Sequence, residues 1–212
     1  MEHPNRHRRW FEDLESFSRR VLTTVLFTDI VDSTGKLVEL GDRAWTELLR
    51  DHHACFRSRL EAFGGREIDA AGDGFLAAFQ VPTLAVAFAC GFHHEVGDIG
   101  LQVRTGVHTG ECELEDGRLR GVAVHLGARL AGVADPGDVL VSETVRDVVA
   151  GSGLTFVDRG LYQLRGVPGR RRLFAAGWHA GGHAPARAAR TRTAAGVRQP
   201  RLRDRVVDLA DA

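Results

Sequence analysis

The 212-residue sequence predicts an α/β fold, an α+β sandwich with helices laid over a mostly antiparallel sheet. Three observations carry this expectation. Residues 21–28, VLTTVLFT, are β-branched and apolar throughout, as in a strand covered on both faces. Residues 101–109, LQVRTGVHT, alternate Leu101, Val103, Thr105 and Val107 on one side. Between them lie two helical stretches, the first with Trp45, Leu48, Leu49, His52, Phe56 and Leu60 in one stripe.

The elements follow in order. Trp10, Phe11, Leu14 and Phe17 stand at helical spacing and predict a short amphipathic helix or linker over 1–20. The first strand ends in the polar turn Asp29 to Gly35, and a helix is expected over roughly 40–63, stopped by Gly64-Gly65. IDAAGDGFLAAF (68–79) reads as a hairpin and 82–96 as a second buried helix. After the strand at 101–109 come a polar hairpin tip at 113–120, a helix over 121–134 and a strand at 139–141. Ser142 is suited to cap a short helix over 142–150, and LTFVDRG and LYQLRGVPGRRRLFAAG read as terminal strands joined by turns. From 178 to 212 the sequence turns Ala/Arg/Gly-rich without apolar periodicity, which predicts a disordered tail.

Composition narrows the function classes. A hydrophobic content of 43% permits a core, and a formal net charge of zero provides no basic field to draw the chain to nucleic acid or anionic lipid. The three cysteines stand at no metal-ligand spacing, and Cys90 lies in an apolar run, so a reduced, cytoplasmic setting is expected. The N-terminus has no apolar core of a signal peptide, and no apolar run reaches the roughly 18 residues of a membrane span.

Two acids occupy positions with no apolar role. Asp29 closes the buried first strand and Asp73 sits at the tip of the 68–79 hairpin. A carboxylate at a buried strand end is costly unless it is paired or binds a cation. Oxygen ligands from two loops, without a nearby His/Cys cluster, suit Mg²⁺ or Mn²⁺. Gly72 and Gly74 give the hairpin backbone freedom to approach Asp29. The competing reading of Asp73 is an ordinary Asp-Gly turn.

FTDIVDST (27–34), GDGFLAAF (72–79), RTGVHTG (104–110), GVAVHLGARLAGVADPGDVLVS (121–142) and LRGVPG (164–169) occur in this order. Together they resemble the class III nucleotide cyclase catalytic domain in its actinobacterial style, over about 20–176, with the catalytic domain expected at 21–177. The resemblance implies a ferredoxin-like βαββαβ core with helices on one face of the sheet. It implies a head-to-tail homodimer acting on a nucleoside triphosphate, with two active sites built from both chains and two Mg²⁺ or Mn²⁺ ions in each. On the same resemblance, Asp29, Asp73 and the Ile30 carbonyl are metal ligands. Ser33, Thr34 and Gly35 offer backbone N–H groups to the triphosphate at a helix start. Arg129 matches the transition-state arginine, and His125 stands where the family carries a ribose-orienting asparagine. Arg165 is the candidate for the triphosphate tail, with Arg170 or Arg171 as substitutes. No nucleic-acid or membrane partner is expected, and the further partners left open are an upstream regulatory domain or a downstream cyclic-nucleotide effector.

Base reading is where the sequence departs from the adenylate cyclases of the family. These place a lysine four positions before the hairpin metal acid and an acid or threonine seven before the ribose residue. Here Asp69 and Arg118 stand at those positions. An acceptor and a donor in that order suit a ring N–H beside a carbonyl, as in guanine (N1–H, O6) or uracil (N3–H, O4). The expectation is a non-adenine substrate, UTP slightly ahead of GTP, because arginine's length fills the space a pyrimidine leaves and pyrimidine cyclases occur in bacterial anti-phage systems. The alternatives are an adenylate cyclase with a non-standard pocket, in which Asp69 and Arg118 pair with each other, and a catalytically silent nucleotide-binding regulatory domain.

Overall fold

The structure is a computed structural model, and it describes residues 20–177. The expected N-terminal helix and C-terminal tail therefore lie outside the described residues, apart from Arg20, which opens the first strand. Eight strands form one sheet: β1 (Arg20–Ile30), β2 (Arg66–Ala71), β3 (Gly74–Phe79), β4 (Val103–Glu115), β5 (Arg118–Arg120), β6 (Val139–Ser142), β7 (Thr155–Gln163) and β8 (Arg170–Gly177). The helices are α1 (Ser33–Ala62), α2 (Pro82–Asp98), α3 (Val122–Val133) and α4 (Glu143–Val148).

The strand order is β2-β3-β1-β4-β6-β8-β7, with β5 paired to β4. The first four strands and two helices give the ferredoxin-like βαββαβ order, with β1 central. All pairings are antiparallel except β4–β6. This matches the α/β fold expected from the sequence.

Period-2 alternation along β1 sorts the core into two layers. Leu26 and Ile30 point to one face, where Phe56 and Leu60 of α1, Phe88 and Phe92 of α2 and Val145 of α4 cover them. Val21, Val25 and Phe27 point to the other, against Ala123, Val124, Ala128 and Ala131 of α3. Leu126 and Leu130 extend this second layer over Leu140 and Leu173. The expectation of helices on one face is thus corrected: α3 occupies the opposite face. The cause is its apolar composition on all but one side, which must be buried somewhere, while α1 and α2 already cover the first face. Contact is close because Gly106 lies under α3: a Cβ there would come within 2.1 Å of the Ala131 backbone nitrogen.

Two boundaries also differ from expectation. α1 begins at Ser33 rather than near 40 and bends at Gly41 (φ 76°, ψ 163°), so the polar turn is the helix's first segment. β4 runs on to Glu115, and the hairpin tip shrinks to Asp116-Gly117, both with positive φ, as in a type I′ turn. Leu114 and Leu119 on this arm are buried in the second layer, which explains why it continues as strand.

Candidate active site

The β1–β3 register, with Thr28 opposite Phe75, carries Asp29 and the Gly72-Asp73 turn to the same end of two adjacent strands. Gly72 has φ 62°, the left-handed value that a Gly-first hairpin turn requires. Asp73 is only 3% exposed. Asp29 is half-buried and accepts a hydrogen bond from Arg104 Nη2 at 2.8 Å, across the β1–β4 pair. Ile30 is fully buried beside it. Two carboxylates and a main-chain carbonyl would supply a hard, all-oxygen donor set, and among the described residues no group of three or more His, Cys, Asp and Glu gathers as a metal site. The donor chemistry fits Mg²⁺ or Mn²⁺.

Ser33, Thr34 and Gly35 form the first turn of α1, behind Asp32 in the left-handed conformation (φ 52°). Asp32 makes no side-chain cap, which leaves the cap position to the backbone. Gly35 leaves room for the Asp32 carboxylate: a Cβ would lie 2.4 Å from its Oδ2 and would make that side chain turn away.

His125 and Arg129 stand one helical turn apart on the partly exposed side of α3. Arg129 Nε donates to the Arg165 carbonyl at 3.0 Å, which joins two of the sequence-predicted residues. Leu164 and Val167, both buried against α3, anchor the loop that holds Arg165. Arg165 is exposed, as are Arg170 and Arg171 on β8.

Asp69 sits in β2, just past a bulge between Glu67 and Asp69 that breaks the register with β3. Its Oδ1 accepts from the Ala70 amide at 3.0 Å. Arg118 is exposed at the start of β5, and the hairpin bearing it leans over β2, with Gly117 beside the Arg66 guanidinium. Asp69 and Arg118 form no ion pair with each other among the described residues.

Sequence reasoning missed two residues. Arg104 carries the signal of a cation inside an apolar alternation, but its partner is 75 positions away and emerges only from strand register. His53 stands one position past the buried His52 in the α1 stripe, with no sequence signal of its own, and its Nε2 meets the Gly72 carbonyl in the turn that carries Asp73. Other histidines are structural. His93 donates from Nδ1 to the Gly137 carbonyl (3.2 Å), and its Nε2 accepts from the Thr105 hydroxyl (2.7 Å). His108 Nδ1 lies 2.8 Å from Ser142 Oγ. Burial pushes both rings down to about 4 and keeps them neutral.

The profile of the adenylate and guanylate cyclase catalytic domain matches residues 18–176. The chain belongs to this family, whose members are phosphorus–oxygen lyases. An adenylate cyclase of Lachancea kluyveri is 32% identical over 149 residues, covering 56% of this chain and 8% of that protein. A receptor-type adenylate cyclase of Trypanosoma equiperdum is 26% identical, covering 69% of this chain and 45% of that protein. The chain thus spans less than half the length of these curated relatives. Among solved structures, the adenylyl cyclase CyaB of P. aeruginosa superposes with a TM-score of 0.69 at 22% identity, covering 74% of this chain and 94% of that one. The guanylate cyclase domain of RhGC from Catenaria anguillulae, in complex with GTP, gives 0.63 at 16% identity over 75% and 98%. At these identities the structural likenesses establish the fold.

Proposed function

We propose that the protein converts a nucleoside triphosphate into a 3′,5′-cyclic nucleotide and pyrophosphate at the interface of a homodimer. The observation that carries this reading is the shared position of Asp29 and Asp73 at one end of β1 and β3, in a chain of the cyclase family. The catalytic unit is residues 21–177, flanked by the segments 1–20 and 178–212.

The ribose 3′-oxygen attacks the α-phosphorus, its proton passes to water, and the bond to the bridging oxygen breaks to release pyrophosphate. Asp29, Asp73 and the Ile30 carbonyl would hold two divalent cations, which when bound acidify the 3′-hydroxyl and neutralise the leaving phosphates. The first-turn N–H groups of Ser33, Thr34 and Gly35 meet the triphosphate, and Arg165 takes its tail. From the partner subunit, the guanidinium of Arg129 neutralises charge on the pentavalent phosphorus, and His125 orients the ribose.

On the chain opposite the metal acids, Asp69 accepts from the ring N–H of the base and Arg118 donates to its carbonyl. The absence of an ion pair between them supports this division, since each keeps its bonding capacity for a ligand. The substrate is UTP, slightly ahead of GTP, and the product serves as a second messenger, with anti-phage defence as the setting for a pyrimidine product. A second reading is a silent nucleotide-binding regulatory domain; the Arg104–Asp29 pair favours it, because the acid is neutralised without a metal.

Turnover of ATP, GTP, CTP and UTP by the purified protein, each with Mn²⁺ and Mg²⁺, tests these readings. UTP or GTP is the expected substrate. Preference for ATP overturns the base assignment alone, and no product from any nucleotide favours the silent domain. Asp29→Ala and Asp73→Ala should each abolish product while the dimer persists in sedimentation; full activity in either refutes the metal assignment.

A further inference from the structure

We infer that His53 is a positioning residue for Asp73, acting through the backbone of the metal hairpin. The inference rests on Asp73 being a metal ligand. His53 lies on α1, and its Nε2 is 2.9 Å from the Gly72 carbonyl oxygen. A carbonyl only accepts, so this nitrogen carries the proton and donates. Gly72 immediately precedes Asp73 in a two-residue turn, so the bond fixes the peptide from which the carboxylate projects. The ring also meets Phe75 edge-on, with centroids 4.9 Å apart, on the other side of Asp73.

His53 is one of several ties between α1 and this hairpin; two others bracket its role. One turn further along the helix, Phe56 stacks on Phe75 at 3.8 Å and Arg57 grips Glu67 in a bidentate pair of 2.8 and 3.0 Å. Phe56 and Arg57 secure the strands, whereas His53 alone of the three bonds the turn itself. A two-residue turn at the sheet edge has no ladder bond across its Gly72 carbonyl, and a free tip would let the carboxylate swing. α1 also begins at the Ser33–Gly35 turn, so the proposed phosphate-facing backbone and the Asp73 tip are linked through one helix bent at Gly41.

The experiment compares His53→Ala, which removes the donor, with His53→Gln, whose side-chain amide restores an N–H. Mn²⁺ binding to the nucleotide-free protein is read by electron paramagnetic resonance, and amide hydrogen exchange is read over residues 71–75. His53→Ala is expected to weaken Mn²⁺ binding about tenfold, the usual effect of removing a group that orients a ligand, and to speed exchange at the tip. His53→Gln is expected to recover most of both. Mn²⁺ affinity within twofold of the parent in His53→Ala, or equal losses in the two variants, overturns the inference. Asp73→Asn is measured alongside. If it leaves Mn²⁺ binding unchanged, the ligand assignment falls and this inference with it; if it abolishes binding while His53→Ala does not weaken it, only the role of His53 fails.

Discussion

Arg104 and Asp29 face each other across β4 and β1 and are joined by a 2.8 Å hydrogen bond, with side chains 15% and 30% exposed. The acid proposed to hold a cation already holds a guanidinium. A divalent ion at Asp29 must therefore share it with a neighbouring positive charge or displace that charge.

The first prediction concerns this competition. Arg104→Gln keeps a donor near Asp29 but removes the charge, which should tighten Mn²⁺ binding to the nucleotide-free protein. A repulsion of roughly 1 kcal/mol at solvent-screened distance corresponds to about a fivefold change. Calorimetric titration with Mn²⁺ measures it, and weaker binding in the variant would contradict the competition.

A second prediction tests the seat of α3. A Cβ on Gly106 would approach the Ala131 nitrogen to 2.1 Å and the Gly127 carbonyl oxygen to 2.5 Å, both of them backbone atoms. Backbone cannot rotate away as a side chain does, so Gly106→Ala should lift α3 from the sheet at a cost of about 3 kcal/mol, the upper end of overpacking effects. Urea unfolding of the variant gives the value; a loss under 0.5 kcal/mol would show that the helix yields freely.

The third prediction is a pH dependence of stability. His52 is fully buried against Phe75 and Phe92 with no hydrogen bond to either ring nitrogen, and burial pushes its pKa down to about 4. Its folded-state pKa lies below the unfolded value near 6.5, so between them the unfolded chain binds the proton and the folded chain does not. Stability is therefore full above about 6.5 and is lost as pH falls toward 4, by roughly 3 kcal/mol from this group. His93 and His108, depressed in the same direction, add to the loss. His52→Leu removes the unbonded ring and should flatten the acid limb of the curve. Denaturant midpoints from pH 7 to 4.5 would expose an error if the two proteins track each other.

A fourth prediction addresses base choice. Asp69→Lys combined with Arg118→Asp restores the donor and acceptor that adenine requires, and preference should move toward ATP by about two orders of magnitude. Competition between labelled ATP and UTP reads the ratio directly, and an unmoved ratio would place base recognition on other residues.

Much of this was legible in the sequence because local signals and long-range packing agree. The β-branched run at 21–28 and the stripe from Trp45 to Leu60 became β1 and the inner face of α1, with Phe56 and Leu60 in the core. The hairpin turn that carries Asp73 was legible through its glycines and its motif. Three features were not. The side of the sheet chosen by α3 depends on what α1 and α2 have already covered, which no local window records. The Arg104–Asp29 pair depends on register between strands far apart in the chain. The turn from Asp32 into α1 read as a loop because a helix that bends at Gly41 shows its apolar stripe only after the bend.

The edge strand β2 has a further consequence. All six of its residues are half-buried, and its ladder to β3 is already interrupted at the bulge before Asp69. Asp69 belongs to none of the apolar clusters, so its substitution leaves no cavity among the phenylalanines that sustain the domain, and the interrupted ladder resists strand-to-strand association of neighbouring molecules. If Asp69 reads the base as proposed, the domain keeps its durability and its choice of chemical letter in separate places. A lineage can revise the second through a few changes at an edge without jeopardising the first.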